Sequence, residues 1–137
     1  MTHQDETFAL KTRLSLDYEA AVTRVREALA AEGFGVITEI DMRATVKAKL
    51  DLDFRPYIIL GACLPPVAHA AVTHDLDIGL LLPCNVVVYA GEKPEETVVA
   101  AIDPVVQLSV TGSTDVAAMA AEVREKLARV LDSLGGV

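Results

Sequence analysis

The sequence predicts an α+β fold, with an antiparallel sheet that carries two main helices on one face in the order β-α-β-β-β-β-α. Three observations predict it. Two segments with alternating apolar residues, 7–14 and 36–42, flank a stretch of helical periodicity. Short apolar runs bounded by Gly and Pro fill the middle of the chain. A long helical stripe follows near the C-terminus. The 137 residues fit a single domain, 1–137.

The first strand and the first long helix come from the N-terminal third of the chain. Residues 7–14 alternate, and one face of this strand carries Phe8, Leu10, Thr12 and Leu14. Ser15 offers an N-cap for the helix, and Gly33 and Gly35 end it. Between these signals one apolar stripe steps by three and four residues through Tyr18, Val22, Val25 and Leu29. We expect this stripe to face the sheet.

A strand, a short helix and another strand follow. The strand Val36–Met42 alternates again, and one of its faces is predicted to carry Val36, Thr38, Ile40 and Met42. Arg43–Leu50 is interpreted as a short helix, and Tyr57–Cys63 is an apolar run typical of a strand. Pro65 and Pro66 stop that strand and suit the start of a helix over Val67–His74.

Pro83 separates two apolar runs, Ile78–Leu82 and Val86–Tyr89. Proline cannot donate to a sheet ladder, so Pro83 marks a bend, an edge or a junction. Val98–Ile102 is expected to pair with Val86–Tyr89 through a hairpin, and Asp103-Pro104 closes that strand. The last helix is predicted to begin at Ser113 or Thr114 and to stop at Gly135-Gly136. Its stripe is Val116, Met119, Val123, Leu127, Val130 and Leu134.

The composition predicts a protein that associates with itself. Hydrophobic residues make up 52% of the chain, mostly Ala, Val and Leu, while aromatic residues are only 4%. This is much aliphatic surface for one small core, and surplus apolar surface tends to be covered by another subunit. We therefore expect a homodimer, with a tightly packed monomer as the alternative.

The charge argues against two classes of partner. The net charge of −8 repels phosphate backbones and anionic lipid, so we expect no nucleic-acid partner and no membrane surface partner. No apolar run reaches the roughly 20 residues of a spanning helix. The polar start of the chain lacks the bases of a signal peptide, which favours a cytoplasmic protein with a flexible tail over residues 1–6.

Several blocks resemble a known family. They are GFGVITEIDMRATVKAKLDLDFRPYIILGACLPPVAHAA, DIGLLLPCNVVVY and AIDP. The chain is similar to the family called domain of unknown function 302, from the first strand to the last helix. The resemblance implies a curved antiparallel sheet with two main helices, like that of TATA-binding proteins, in a small bacterial or archaeal protein that forms dimers and has no established activity. Where members of this family often carry Asn, this chain has Leu64.

Cys63 and Cys84 are the first candidates for chemistry, since each lies near proline beside a predicted strand end. A thiol redox pair, a soft metal site or a sulfur carrier would use such residues. The sequence offers no C-x-x-C motif and no neighbouring base that would lower a thiol pKa. Two small, buried, inert side chains are therefore the simpler interpretation.

His69 and His74 are five residues apart, so on one helix they lie on different faces and cannot chelate one ion together. Their spacing from the cysteines fits no zinc motif, and we expect no metal site and no cofactor. Asp77 and Asp103 could form a carboxylate pair, but a turn explains each of them.

Arg55 is the most interesting member of a group of bases in an acidic chain, because it lies between Phe54 and Pro56 at a strand start. Its guanidinium could bind a carboxylate or phosphate. The other bases of this group, Arg43, Lys47 and Lys49, are more simply interpreted as a solvated helix surface.

These observations favour a homodimeric module that binds a small anionic or apolar ligand, or another protein, without catalysis of its own. Its site would combine the turn after the first cysteine with the bend at Pro83, and it would be built from Arg55, Cys63, Pro65, His69, Cys84 and Asn85. Two alternatives stay open. One is a cysteine-dependent thiol enzyme or sulfur carrier, and the other is a structural or regulatory protein that binds through the sheet surface.

Overall fold

A computed structural model describes residues 8–135 and contains one antiparallel sheet of five strands in the order β1-β5-β4-β3-β2. The strands are β1 (Ala9–Leu14), β2 (Gly35–Asp41), β3 (Tyr57–Cys63), β4 (Cys84–Ala90) and β5 (Thr97–Ile102). The helices are α1 (Tyr18–Ala31), α2 (Met42–Leu50), α3 (Pro65–His74), α4 (Pro104–Leu108) and α5 (Thr114–Ser133). Two 3-10 helices, Leu76–Leu81 and Ser109–Thr111, complete the chain. The expected tail, residues 1–6, lies outside the described residues.

The two long helices, α1 and α5, cover one face of the sheet, as predicted. Strand register brings Leu60, Val86 and Ala101 into one row and Ile58, Val88 and Val99 into the next. These side chains are buried in one cluster with Val25 and Leu29 of α1 and Leu127 and Val130 of α5. Burial of this aliphatic layer is the main source of the free energy of folding.

A second, smaller core lies where α3, the Leu76–Leu81 helix, α4 and α5 meet. It consists of Ala71, Ile78, Leu108, Val116 and Ala120. This cluster fixes the short helices against the start of α5 and so positions the chain around Pro83.

Most predicted elements are present, and β3 has the predicted bounds. The predicted cap of α1 is wrong: Asp17, and not Ser15, accepts a hydrogen bond from the amide of Ala20 over 2.8 Å. The prediction for the faces of β2 is also wrong, because a bulge between Val36 and Thr38 shifts the alternation. Val36 pairs with Ala62 and joins the core, whereas Thr38 and Ile40 point to the other side.

Three short elements were not predicted, one of them the Ser109–Thr111 3-10 helix. Another is α4, which Asp103 caps by accepting from the amide of Val105 over 2.9 Å, with Pro104 in its first turn. The third is the Leu76–Leu81 3-10 helix, which occupies much of the apolar run before Pro83. The Leu82–Pro83 peptide bond is cis.

No helix within residues 8–135 combines the length and apolar character that a bilayer span requires.

Candidate functional site: one end of the sheet and its uncovered face

The structure brings the two cysteines to the same end of the sheet. Cys63 ends β3 and Cys84 begins β4, and these strands run antiparallel with Ala62 opposite Cys84. Pro65 starts α3 directly after this strand end, and His69 follows one turn later. Asn85 pairs with Gly61 and is exposed on the sheet face away from α1 and α5. Five of the six predicted site residues therefore come from the same end of the sheet.

Arg55 lies at the opposite end, so the predicted meeting of Arg55 with the two thiols does not occur. Its side chain donates a hydrogen bond to the carbonyl of Ala90, the last residue of β4, over 3.0 Å. The seven residues of β3 run from Tyr57, two residues after Arg55, to Cys63, and at about 3.3 Å per residue the two ends of this strand are roughly 20 Å apart. Because Arg55 precedes and Cys63 ends the same strand, an extended β3 keeps them apart.

Cys84 lies in the apolar layer under the helices and is only 6% exposed. Its thiol donates to the side-chain oxygen of Gln107 over 3.4 Å. Burial, together with a smaller effect of the neighbouring Cys63, raises the pKa of Cys84 to about 11. A thiolate is the nucleophile in cysteine chemistry, so this environment disfavours reactivity at neutral pH.

Gln107 was not identified from the sequence, yet it organises the bend at Pro83. Its amide nitrogen donates to the carbonyl of Leu81 over 2.6 Å and to the carbonyl of Pro83 over 3.3 Å. One side chain on α4 thus satisfies two backbone acceptors and the Cys84 thiol. The only sequence signal is one amide in the otherwise apolar segment PVVQL.

A small apolar cavity lies beside the cysteines, with a volume of about 30 Å³. Its lining includes Leu64, Val67, Leu82, Cys84 and Met119. A cavity of this size has room for one or two water molecules, but its apolar walls offer a water few partners. It does not resemble the predicted anion pocket, because Arg55 is at the other end of the sheet.

His69 and His74 line a wide surface groove with Asp115 and Met119, and both histidines are exposed. His74 Nε2 lies 3.5 Å from the hydroxyl of Ser113. Within residues 8–135, no three side chains from His, Cys, Asp and Glu gather closely enough to hold a metal ion.

Asp103 is buried, and it binds Arg124 of α5 through Oδ2 and Nε over 3.0 Å. With its other oxygen it caps α4. This carboxylate therefore ties the end of β5 to both helices, so Asp103 is a helix cap and ion-pair partner and not simply part of an Asp-Pro turn. Asp77 lies apart from it, in the Leu76–Leu81 helix.

The sheet face opposite α1 and α5, which we call the open sheet face, carries an apolar row across β2, β3, β4 and β5 that ends at Lys11 of the edge strand β1. Its central residues follow from the register, in which Ile40 opposes Ile59, Ile59 opposes Val87, and Val87 opposes Ala100. Toward the Arg55 end, Tyr57 and Tyr89 stack with ring centroids 5.3 Å apart, and Phe54 packs on Tyr57 at 5.9 Å. Ile40 is 47% exposed.

Helix α2 contacts β2 and β3 and has no buried residue. Met42, Val46 and Leu50 recur every four residues and form an apolar stripe. The bases of α2 behave as a solvated surface: Lys47 pairs with Asp51 over 3.0 Å, and Lys47 and Asp53 are 3.8 Å apart.

Comparison with known proteins identifies the family. Residues 10–134 match the family model described as "Domain of unknown function DUF302". A solved structure titled "Crystal structure of uncharacterized conserved protein DUF302 from Bacillus stearothermophilus" is similar with a TM-score of 0.84 and 28% identity, over 93% of this chain and 98% of that one. A comparison with curated proteins found no match. The chain therefore belongs to the domain of unknown function 302 family.

Proposed function

We propose that this protein is a homodimeric interaction module without catalysis of its own, in which two copies join through their open sheet faces. One observation carries the proposal: the row of Ile40, Ile59, Val87 and Ala100 is apolar, but no described helix packs on it as α1 and α5 pack on the opposite face. A sheet that is apolar on both faces needs a second layer on each.

Helix α2 supports the same interpretation. It has nine residues and buries none of them within the described chain. Helices shorter than about 12 residues are marginal in water unless an apolar face packs on something else. A partner that covers Met42, Val46 and Leu50 would supply that packing.

Charge also favours a second copy as the occupant. The segment 39–55, which borders the open sheet face, is neutral, although the whole chain carries −8. Two identical acidic chains repel each other, and the repulsion is least where the local charge is zero. A two-fold axis requires a self-complementary surface, and the acids and bases of α2 and the segment after it provide charges of both signs: Asp51 and Asp53 with Arg43, Lys47 and Lys49. Glu39 is not one of them, because it pairs with Arg26 of α1.

The open sheet face supplies a large part of the area that a standard interface needs. Five strands spaced about 4.8 Å apart make the face roughly 24 Å wide, and six or seven residues make it about 20 Å long. The flat projected area of this face is therefore nearly 500 Å², and the relief of the side chains and the surface of α2 add to it. A standard interface buries about 800 Å² of accessible surface on each partner.

Charge substitution on the open sheet face tests the proposal. Ile40→Lys changes a side chain that is 47% exposed in one chain, so the fold should survive. We expect light scattering to give one-chain mass for this variant and two-chain mass for the wild type. Val87→Lys is the second variant, and Leu76→Lys is the control, because it alters an exposed leucine on the helical side. Folded variants that retain the wild-type mass would refute the proposed interface.

Binding of a small apolar ligand is a second candidate function, and the cavity beside Cys84 supports it. Its volume of about 30 Å³ admits only a molecule of very few atoms unless α3 moves. Native mass spectrometry of the purified protein tests this candidate. An added mass that disappears in Val67→Phe, which fills the cavity, would support it. Spectra without any adduct would count against it.

A further inference from the structure

The Leu76–Leu81 3-10 helix is held firmly in place. Ile78 is 2% exposed and packs in the smaller core against Ala71 and Leu108. Asp75 caps the helix by accepting from the amide of Asp77 over 2.9 Å. At the other end, Gln107 donates to the carbonyl of Leu81.

This fixed element nevertheless presents two of its leucines to solvent. Leu76 is 85% exposed and Leu80 is 87% exposed, while Val110 in the adjoining 3-10 helix is 75% exposed. A single exposed leucine is ordinary. Here, however, Leu80 and Val110 line the same groove, which has a volume of about 270 Å³, together with Ile78 and Leu81. We call this the Leu80 groove.

The charge around the Leu80 groove has one sign. Asp75 and Asp77 line it, and no base does. The two chain segments that build it also lack bases, because no Lys or Arg occurs between Arg55 and Lys93 or between Lys93 and Arg124. The acids are therefore not neutralised by their own neighbours in sequence.

We propose that the Leu80 groove binds a basic amphipathic segment of a partner protein. An apolar side chain of that segment would fill the groove between Leu80 and Val110, and its Lys or Arg would pair with Asp75 and Asp77. Anionic lipid and nucleic acid do not fit, since both carry the same charge sign as the rim. This surface packs on α3, α4 and α5, on the side of the sheet away from the proposed dimer interface, so it does not depend on the dimer.

Fluorescence anisotropy with a labelled peptide tests the proposal. The probe is a helical peptide of about 15 residues with Leu along one side and Lys along its flanks, and the matched probe has Glu in place of Lys. We expect the basic peptide to bind the full-length protein and the acidic peptide not to bind. Binding should weaken as salt rises.

Variants locate the site. Leu80→Ser should weaken binding of the basic peptide at least about tenfold, because a buried leucine contact is lost. Val110→Ser should act in the same direction, and Asp77→Asn should reduce the salt dependence. The control is Leu52→Ser, whose leucine is 57% exposed but lies in the segment after α2. Equal binding of both peptides, an unchanged affinity in Leu80→Ser, no binding of the basic peptide, or binding of phosphatidylserine vesicles would each overturn the proposal.

Discussion

The thiol of Cys84 donates a hydrogen bond to the side chain of Gln107, and this contact joins the start of β4 to α4. The side-chain amide of the same glutamine donates to the carbonyls of Leu81 and Pro83. Cys84 is therefore one member of a structural network. Its surroundings keep the thiol protonated, whereas a nucleophilic cysteine requires a base or a helix N-terminus that lowers its pKa.

Gln107→Ala should destabilise the protein by about 1–2 kcal/mol, because two partly buried carbonyls and the Cys84 thiol lose their partner. Urea unfolding followed by circular dichroism measures the change. Gln107→Glu is the informative comparison, since it keeps the shape but turns a carboxylate toward two carbonyl oxygens. It should be at least as destabilising, and a glutamate variant of wild-type stability would disprove the assigned role.

Cys84 should react slowly with iodoacetamide at neutral pH, because its pKa is about 11. Native alkylation followed by peptide mass spectrometry measures the rate. Labelling of Cys84 that is faster than that of a free cysteine would support the thiol-enzyme alternative.

The raised pKa of Cys84 also predicts a pH dependence of stability. The folded thiol holds its proton to about pH 11, whereas the unfolded thiol loses it near 9.0. Between these values the unfolded state binds fewer protons, so stability is full below about pH 9 and falls toward pH 11 by on the order of 2 kcal/mol. Cys84→Ala should remove this part of the decline. Identical pH profiles for the two proteins would be inconsistent with a buried, protonated thiol.

Thr12→Val should stabilise the protein by about 1 kcal/mol. The Thr12 hydroxyl is buried on the helix-covered face and has no hydrogen-bond partner among residues 8–135. Valine keeps the branched shape and removes the cost of an unsatisfied hydroxyl. Thr12→Ser is the control, since it keeps the hydroxyl and loses a methyl group, and its stability should fall. Thermal unfolding of both variants checks the prediction, and a destabilised valine variant would contradict it.

Gly61→Ala should cost about 2–3 kcal/mol, because there is no room for a methyl group on the open sheet face at this position. A Cβ there would collide with Oγ1 of Thr38 and would lie 2.7 Å from Cγ of Pro83. Thr38 can rotate away, but the proline ring cannot. Gly79→Ala is the matched control, because a Cβ at Gly79 meets no atom within 4 Å. Equal stabilities of the two variants in urea would contradict the described packing.

Periodicity was sufficient to predict the long elements. Ser113 marks the start of α5, and Pro65 marks the end of β3. The bulge in β2 was not predictable, because inserting one residue into a strand leaves no mark on an alternation as short as VITEI. Because of this bulge, Ile40 lies on the open sheet face.

The candidate site was only partly predictable. Proline near each cysteine correctly placed Cys63 and Cys84 at strand ends. Arg55 was misplaced although the predicted bounds of β3 were correct, because those bounds already put Arg55 before the strand and Cys63 at its far end. Gln107 was missed because its partners, the carbonyls of Leu81 and Pro83, are more than twenty residues away in the chain. Such contacts depend on tertiary packing, which one sequence does not specify locally.

Sedimentation equilibrium of the wild-type protein at micromolar concentration tests the central claim most directly. The apolar row on the open sheet face and the unburied helix α2 predict a species of twice the 14.6 kDa of one chain. A single species of 14.6 kDa throughout the concentration range would show that this face is not an interface between two copies.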